Sequence, residues 1–303
     1  MTIVVFGAGA VGSFFGGLLV RGGQDVRFVA RGAQLGALGR SGLHIQSTLL
    51  GDVAVPRVNA VSDPRDIGPA DLVLLCVKAH QTAGVLESMA PLVADGTSIV
   101  TLQNGVESDD TVAARFGRAR VIPGVVYVGA TLEEPGRVSH VAAGTIALGV
   151  PEGVSRDRVT SVREVLARSG QPVQISDDIE RERWRKLLWN AAFNTVSAIT
   201  GRDPGGLLQV QESRGLIASL MREVVAVARA QGIALTDANV DEQIAWTERA
   251  GTIRTSTTVD RERGREMEID ALIGVVVRRG RQYGVPTPCS DVMLALLRAI
   301  DRN

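Results

Sequence analysis

The first half of the chain alternates short apolar runs with segments of helical periodicity. Residues 2–6 form an apolar run that predicts a buried strand, residues 13–20 have a helical pattern, and residues 25–30 form a second apolar run. Further buried strands are predicted over 71–78 and 98–102. Alternating strands and helices are typical of βαβ units around a parallel sheet.

Between residues 121 and 175 the pattern predicts more strands and one helix. Turn residues at 133–136 and 143–144 separate strands that are predicted over 121–128, 137–141 and 145–148. We interpret these strands as an antiparallel extension of the sheet. An amphipathic helix over 155–169 and a last strand over 172–175 complete the region.

The rest of the chain is predicted to be helical. Ser176-Asp177-Asp178 is a helix-start signal, so we place the domain boundary between residues 177 and 178. Helices are predicted near 178–200, 213–231, 236–250, 262–283 and 288–301. The predicted fold class is therefore α/β over residues 1–177, followed by an all-α domain over residues 178–303.

A narrow polar stripe crosses the first of these helices. Lys186, Asn190 and Asn194 are spaced four residues apart and share one helix face, while the residues between them are apolar. Such a helix is predicted to be buried, and a buried amine or amide needs a hydrogen-bonding partner. Two interpretations follow: a polar contact between helices inside the core, or the wall of a pocket in which a small polar ligand meets an amine.

The composition of the chain bears on which classes of partner, location and metal site the protein is expected to have. Lys plus Arg and Asp plus Glu both number 33, so a net charge of zero favours neither nucleic acid nor an anionic membrane as a partner. No apolar run is long enough to span a membrane and no leader precedes the first strand, so we expect a cytoplasmic protein. Two cysteines and three scattered histidines lack the spacing of a metal site.

Lys78 and Lys186 are the only lysines in a chain that otherwise uses arginine. An ammonium can release its proton and fits a compact site, whereas a guanidinium stays charged and is planar. We therefore treat both lysines as candidate site residues. Chance retention on the surface is the alternative.

A glycine-rich loop, Gly7-Ala8-Gly9-Ala10-Val11-Gly12, follows the first predicted strand and opens the first helix. In a dinucleotide-binding loop the first glycine permits the tight turn, the second lets the backbone approach the pyrophosphate, and the third lets helix and strand pack closely. The helix N-terminus then faces the phosphates. The alternative is a glycine-rich turn that binds no ligand.

Arg31 follows the second predicted strand, where an Asp or Glu would hydrogen-bond the ribose hydroxyls of NAD. A cation at this position can pair with a 2′-phosphate instead, so we predict NADP (NADPH) as the cofactor. A solvated surface arginine is the alternative.

Lys78 and Asn104 stand at or just beyond the ends of the strands over 71–78 and 98–102. Ligands of open α/β sheets bind outside the carboxyl ends of the strands. Both side chains should therefore lie at the same edge as the glycine loop. Cys76 falls within a predicted strand, and we interpret it as an inert core residue.

Together these motifs resemble those of the ketopantoate reductase family (2-dehydropantoate 2-reductase). The resemblance covers essentially the whole chain, and its order and spacing are more specific than a nucleotide-binding loop alone. The residues that carry it are the glycine loop, Arg31, Val77-Lys78-Ala79, Leu102-Gln103-Asn104-Gly105, Trp184-Arg185-Lys186-Leu187 with Asn190 and Asn194, and Ser256 with Glu268-Ile269-Asp270.

The resemblance implies a Rossmann-like N-terminal domain, a helical C-terminal domain and an active site between them. It implies NADPH-dependent reduction of 2-dehydropantoate to pantoate, in pantothenate and coenzyme A biosynthesis. Lys186 is implied as the general acid, and Glu268 as the carboxylate that engages the substrate hydroxyl and the lysine. Lys78 and Asn104 are implied as the pair that bridges cofactor and substrate. Further substrate ligands are implied at Asn190, Asn194 and Ser256.

The implied chemistry is consistent with the residues. Hydride arriving at a ketone carbon leaves charge on the oxygen, and a positioned ammonium can stabilise that charge and deliver a proton. A reductase of a different 2-oxo acid and an NADPH-binding sensor without turnover are the alternatives, and the sensor gives no reason to keep Lys186 and Glu268 together. A small 2-oxo acid is the expected partner, and a homodimer is one arrangement that the sequence allows.

Overall fold

The computed structural model describes residues 1–250, 252 and 254–301, and these residues divide into two compact units. The first unit comprises Met1–Gln103 and Glu107–Ile179. The second comprises Asn104–Val106 and the described residues from Glu180 onward. A three-residue segment from the first half of the sequence therefore belongs to the second unit.

The first unit contains strands and the helices that connect them. In chain order it begins with β1 (Thr2–Phe6), α1 (Ala10–Arg21), β2 (Asp25–Val29), α2 (Gly32–Ser41), β3 (Leu43–Ser47), β4 (Gly51–Val55) and β5 (Asn59–Val61). It continues with β6 (Leu72–Leu75), α3 (Thr82–Met89), β7 (Ser98–Thr101), α4 (Ser108–Phe116), β8 (Val121–Glu134), β9 (Arg137–Leu148), α5 (Arg156–Ala167) and β10 (Val173–Ile175).

These strands form a ten-stranded sheet, counted over the described residues, in the order β4-β3-β9-β8-β7-β6-β1-β2-β5, with β10 paired to β9. Between β8 and β5 in this order, each pair of adjacent strands is parallel. Phe6 at the end of β1 lies opposite Leu75 of β6 and Val29 of β2, so the carboxyl ends of these strands share one edge. β8 and β9 pair antiparallel, as predicted, but β8 itself continues the parallel sheet by pairing with β7.

The central strands are covered on both faces. All residues of β6 and β7 are buried, which explains why they are continuous apolar runs rather than alternating ones. Because successive side chains of a strand point to opposite faces, Val5 and Leu74 belong to one apolar cluster while Val4 and Val73 belong to another. These two apolar clusters hold β1 and β6 in place, and the glycine loop begins directly after the last residue of β1.

Three details of the sequence prediction for this unit were wrong. No element was predicted at the short strands β3, β4 and β5 or at the helices α2 and α4. β6 ends at Leu75, so Cys76 follows the strand instead of lying inside it. β9 continues through Ala143 and Gly144, where a turn was predicted, because these two residues form an irregularity opposite Tyr127 and Val128 with φ angles of 56° and 131°. A bulge needs the same small residues as a turn.

The second unit is helical. Its elements are α6 (Ile179–Trp189), a first π turn (Asn190–Asn194), α7 (Thr195–Thr200), α8 (Pro204–Leu208), α9 (Gln211–Ala230), α10 (Asp237–Arg249), α11 (Ser256–Glu262), a second π turn (Asp270–Gly274), α12 (Val275–Tyr283) and α13 (Pro288–Asp301). One apolar core joins most of them, and Trp184, Phe193 and Leu220 are among its fully enclosed members.

The predicted helix over 262–283 was wrong at its start. α11 already ends at Glu262, and Gly264 follows it with a φ of +61°, a conformation that terminates helices and that glycine adopts without strain. The chain then stays non-helical through Glu268 before the second π turn. Glu268 therefore sits on a short connection next to a helix, not inside a helix.

Candidate active site

Lys186, Asn104 and Glu268 form a hydrogen-bonded chain in the second unit. Lys186 Nζ donates to Asn104 Oδ1 over 2.9 Å, and Asn104 Nδ2 donates to Glu268 Oε2 over 3.3 Å. Glu268 is only 5% exposed, and Lys186 is half-buried. The Asn104 amide thus connects an ammonium to a carboxylate. Its oxygen can only accept and its NH₂ group can only donate, so this is the one amide orientation that serves both partners.

The environment changes the acidity of Lys186. Burial lowers the pKa of this amine from 10.5 to about 8, and the negative charge of Glu268 opposes part of that shift. At neutral pH the amine is still mostly protonated, yet it releases its proton more readily than an exposed lysine. An acid with a pKa close to the working pH is well suited to proton transfer.

The backbone around Asn104 is held by the second π turn. Gly105 has a φ of +89°, and a Cβ at this position would lie 2.9 Å from the carbonyl oxygen of Ala271. Val106 is buried in the core of the helical unit. Because Glu268 stands two residues before the second π turn, this close packing brings Asn104 within reach of the carboxylate. No role was predicted for Gly105, although it follows Asn104 in the motif.

The first π turn keeps the polar stripe on one face. In a straight α-helix a residue four positions on is rotated by about 40° beyond a full turn, so a stripe of this spacing drifts around the helix. A π turn closes its hydrogen bonds one residue later, so four residues fall short of a full turn. The rotation from Lys186 to Asn190 is therefore partly reversed from Asn190 to Asn194, which lies at the end of this turn.

Both asparagines of the stripe are buried, with Asn190 8% and Asn194 2% exposed. No described residue provides a hydrogen-bond partner for Asn194 Oδ1. Ser256 is the first residue of α11 and is exposed, while Thr255 caps the helix by accepting from Thr258 N. α11 packs against α7 and the first π turn, but Ser256 is not part of the hydrogen-bonded chain.

The glycine loop of the first unit has the shape that a dinucleotide needs. Gly7 has a φ of +103°, and a Cβ there would lie 2.7 Å from Val77 N. A Cβ on Gly12 would lie 2.1 Å from the carbonyl oxygen of Gly7. A Cβ on Gly9 would meet nothing within 4 Å, and Gly9 stands at the N-terminus of α1. Packing therefore requires the first and third glycines, and the second leaves open space for a pyrophosphate.

Two cationic candidates lie at the same sheet edge. Arg31 follows β2 and is exposed at the start of α2. Lys78 is half-buried and precedes a 3₁₀ turn after β6, next to the Val77 that packs against Gly7. The prediction that Lys78 shares the edge of the glycine loop is thus confirmed, whereas Asn104 groups with the helical unit.

The cysteines show no sign of nucleophilic character. Burial raises the pKa of the Cys76 thiol to about 12, and burial together with the charge of Glu223 raises the pKa of the Cys289 thiol. The described residues contain no group of three or more His, Cys, Asp or Glu side chains placed to hold a metal ion. Of the helices described, none is both long and apolar enough to cross a bilayer.

Two family models match the chain. The ketopantoate reductase PanE/ApbA model matches residues 3–153, and the model of the C-terminal part of the same family matches residues 178–301. The chain belongs to the ketopantoate reductase family. This result confirms the resemblance that the motifs indicated.

The chain is also similar to individual ketopantoate reductases over its full length. The 2-dehydropantoate 2-reductase of Mesorhizobium japonicum is 35% identical, over 100% of this chain and 99% of its own. The crystal structure of 2-dehydropantoate 2-reductase from Geobacter metallireducens has a TM-score of 0.94 and 36% identity, covering 99% of each chain. These likenesses confirm the predicted Rossmann-like and helical fold class.

A relative with a different activity has nearly the same fold. The ternary structure of D-mandelate dehydrogenase with NADH and anilino(oxo)acetate has a TM-score of 0.92 and 26% identity, covering 100% of this chain and 98% of that one. Ketopantoate reductase membership and the geometry of the glycine loop together assign a nicotinamide dinucleotide as the cofactor.

Proposed function

We propose that this protein is an oxidoreductase that reduces 2-dehydropantoate to pantoate with NADPH, in pantothenate and coenzyme A biosynthesis. The observation that carries the proposal is the chain from Lys186 through Asn104 to Glu268, in which a half-buried amine is held by an amide at 2.9 Å. Membership in the ketopantoate reductase family supports the same reaction.

Lys186 acts as the general acid of this reaction. Bound NADPH supplies a hydride for the ketone carbon. The ammonium of Lys186 donates a hydrogen bond to the ketone oxygen, stabilises the negative charge that develops there, and transfers its proton to form the hydroxyl. Its lowered pKa of about 8 makes that transfer easier than it would be from an exposed lysine.

Asn104 and Glu268 prepare Lys186 for this role. Asn104 Oδ1 accepts from the ammonium and so holds Nζ in one place before the substrate arrives. The negative charge of Glu268 opposes the effect of burial and keeps the amine protonated near neutral pH. Asn190, Asn194 and Ser256 then bind the polar groups of the substrate, with Glu268 engaging its hydroxyl.

Arg31 and Lys78 bind the cofactor in this proposal. The exposed guanidinium of Arg31, at the end of β2, pairs with the 2′-phosphate that distinguishes NADPH from NADH. The loop Gly7–Gly12 and the N-terminus of α1 take the pyrophosphate. Lys78, next to the loop, is proposed as a ligand of the same cofactor, and Asn104, which accepts from Lys186, as a ligand of cofactor and substrate.

A reductase of another 2-oxo acid is the second candidate, because D-mandelate dehydrogenase shares the fold over the whole chain. The test is the rate of NADPH and NADH oxidation by the purified protein with 2-dehydropantoate, phenylglyoxylate and short-chain 2-oxo acids. We expect the highest kcat/KM for 2-dehydropantoate with NADPH. A higher kcat/KM for another acid would show that the proposed substrate is wrong. A higher kcat/KM with NADH would show that the proposed cofactor is wrong.

Location and assembly complete the proposal. We place the enzyme in the cytoplasm, where a soluble biosynthetic reductase would work, and we infer a homodimer. Fractionation of cells and sedimentation of the purified protein test these two parts. Recovery with membranes, or a monomer at micromolar concentration, would contradict them.

A further inference from the structure

Two buried polar atoms on the helix formed by α6, the first π turn and α7 have no hydrogen-bond partner among the described residues. They are Asn194 Oδ1 and Ser197 Oγ. Asn194 is 2% exposed and Ser197 is 1% exposed. Buried polar atoms in native proteins are nearly always paired, with protein groups or with ordered water, so this pair requires an explanation.

Ser197 differs from the other hydroxyl residues of the same helix. Thr195 Oγ1 donates to the carbonyl oxygen of Ala191 over 2.6 Å, and Thr200 Oγ1 donates to that of Val196 over 2.8 Å. Such bonds to the preceding turn are the usual solution for a hydroxyl inside a helix. Ser197 Oγ makes no such bond. Its hydroxyl is therefore available to a group outside the helix backbone.

Asn194 and Ser197 are three positions apart, so their side chains are neighbours on the helix surface. An amide oxygen only accepts hydrogen bonds, whereas a hydroxyl both donates and accepts. One water molecule can donate to Asn194 Oδ1 and accept from Ser197 Oγ, which satisfies both atoms. The adjacent Phe193, Val196 and Ala198 belong to the apolar core, so their side chains cannot hydrogen-bond to either atom.

The reacting end of the substrate cannot take this place. Ser197 lies eleven residues beyond Lys186, which corresponds to roughly 16 Å along a helix axis. A water molecule is therefore the group that matches the hydrogen-bonding pattern of the two atoms.

We propose that one ordered water binds between Asn194 Oδ1 and Ser197 Oγ and fixes the Asn194 amide with its NH₂ group facing the substrate. Ser197 is then a positioning residue that acts through Asn194. This inference rests on the proposed function, because it assigns the substrate to the NH₂ side of Asn194. Without the water the amide can rotate, and substrate binding loses one oriented donor.

Steady-state kinetics of Ser197→Ala test the positioning role. We expect the KM for the 2-oxo acid to rise about 2- to 10-fold, the effect of one hydrogen bond, with a smaller change in kcat and no change in the KM for NADPH. Ser197→Thr keeps the hydroxyl and should therefore retain the wild-type KM. Ser197→Cys keeps the volume but is a weak hydrogen-bonding group, so it should raise the KM as Ser197→Ala does.

The matched control is Thr195→Val, which removes a buried hydroxyl that already bonds to its own helix. It should leave the KM for the 2-oxo acid unchanged even if stability falls. The positioning role is wrong if Ser197→Ala and Ser197→Cys have the wild-type KM, or if Thr195→Val raises the KM as much as they do.

A double-mutant cycle in urea unfolding tests the water independently of activity. If one water joins the two residues, Ser197→Ala and Asn194→Ala should be non-additive, with the double variant about as stable as the weaker single variant. Additive losses would show that no shared group joins them. Non-additive losses in a protein that reduces no 2-oxo acid would support the water and reject the proposed function.

Discussion

The role of Lys186 as general acid can be tested with two substitutions, Lys186→Ala and Lys186→Arg. Alanine removes the donor that Asn104 Oδ1 holds at 2.9 Å. Arginine keeps the positive charge, but it does not release a proton near neutral pH, and its planar fork does not fit the position of a compact ammonium. We therefore expect both variants to be impaired, although only one of them loses charge.

The magnitude follows from the loss of positioned proton transfer, which contributes about 10²–10⁴-fold to catalysis. Lys186 has a pKa of about 8, so in the wild type most of the amine is protonated at pH 7 and can act as an acid. We expect kcat with 2-dehydropantoate and NADPH to fall by at least about two orders of magnitude in both variants. NADPH affinity should change little, because the glycine loop and Arg31 belong to the other unit.

The assay is kcat at saturating substrate, with thermal melting to show that each variant is folded. Arg185→Ala serves as the matched control, because it removes the neighbouring cation of the same helix and should keep most of the activity. If Lys186→Arg retains more than about a tenth of the wild-type kcat, the loss is too small for a missing general acid. Lys186 would then be an electrostatic anchor only.

Three further predictions concern pH, cofactor choice and the thiols. The general acid must be protonated, so the rate of reduction should fall as pH rises through about 8. Glu268→Gln removes the charge that raises the pKa of Lys186, so in a pH–rate profile the fall should occur at lower pH. An unchanged profile would show that Glu268 does not affect the pKa of the acid. Arg31→Asp should weaken NADPH binding far more than NADH binding in titrations, because it removes an attractive charge and adds repulsion; equal losses would show that Arg31 does not contact the 2′-phosphate. The Cys76→Ala, Cys289→Ala double variant should keep most of its kcat, because both thiols have raised pKa values; a folded but inactive double variant would indicate thiol chemistry.

The sequence alone predicted most of the local elements and supplied the candidate site residues, Lys186 and Glu268 among them. The glycine loop between β1 and α1 was predictable because steric rules require glycine at specific positions of such a loop. The polar stripe of Lys186, Asn190 and Asn194 was visible because side chains four residues apart share a helix face. The helical character of the second unit followed from the same periodicity, since amphipathic patterns reflect interactions that are local in the chain.

Only the tertiary structure decided which of these residues lie within hydrogen-bonding distance of one another. Lys186 and Asn104 are separated by 82 residues, and Asn104 and Glu268 by 164, so nothing in the local pattern places them within hydrogen-bonding distance. The close contact of Gly105 with Ala271 brings them together. The π turn that aligns the asparagines, and the burial that lowers the pKa of Lys186 to about 8, likewise depend on packing between distant segments. Periodicity encodes which face of an element is apolar, but the partner that covers this face, and therefore the electrostatics of the site, is set by the assembled core.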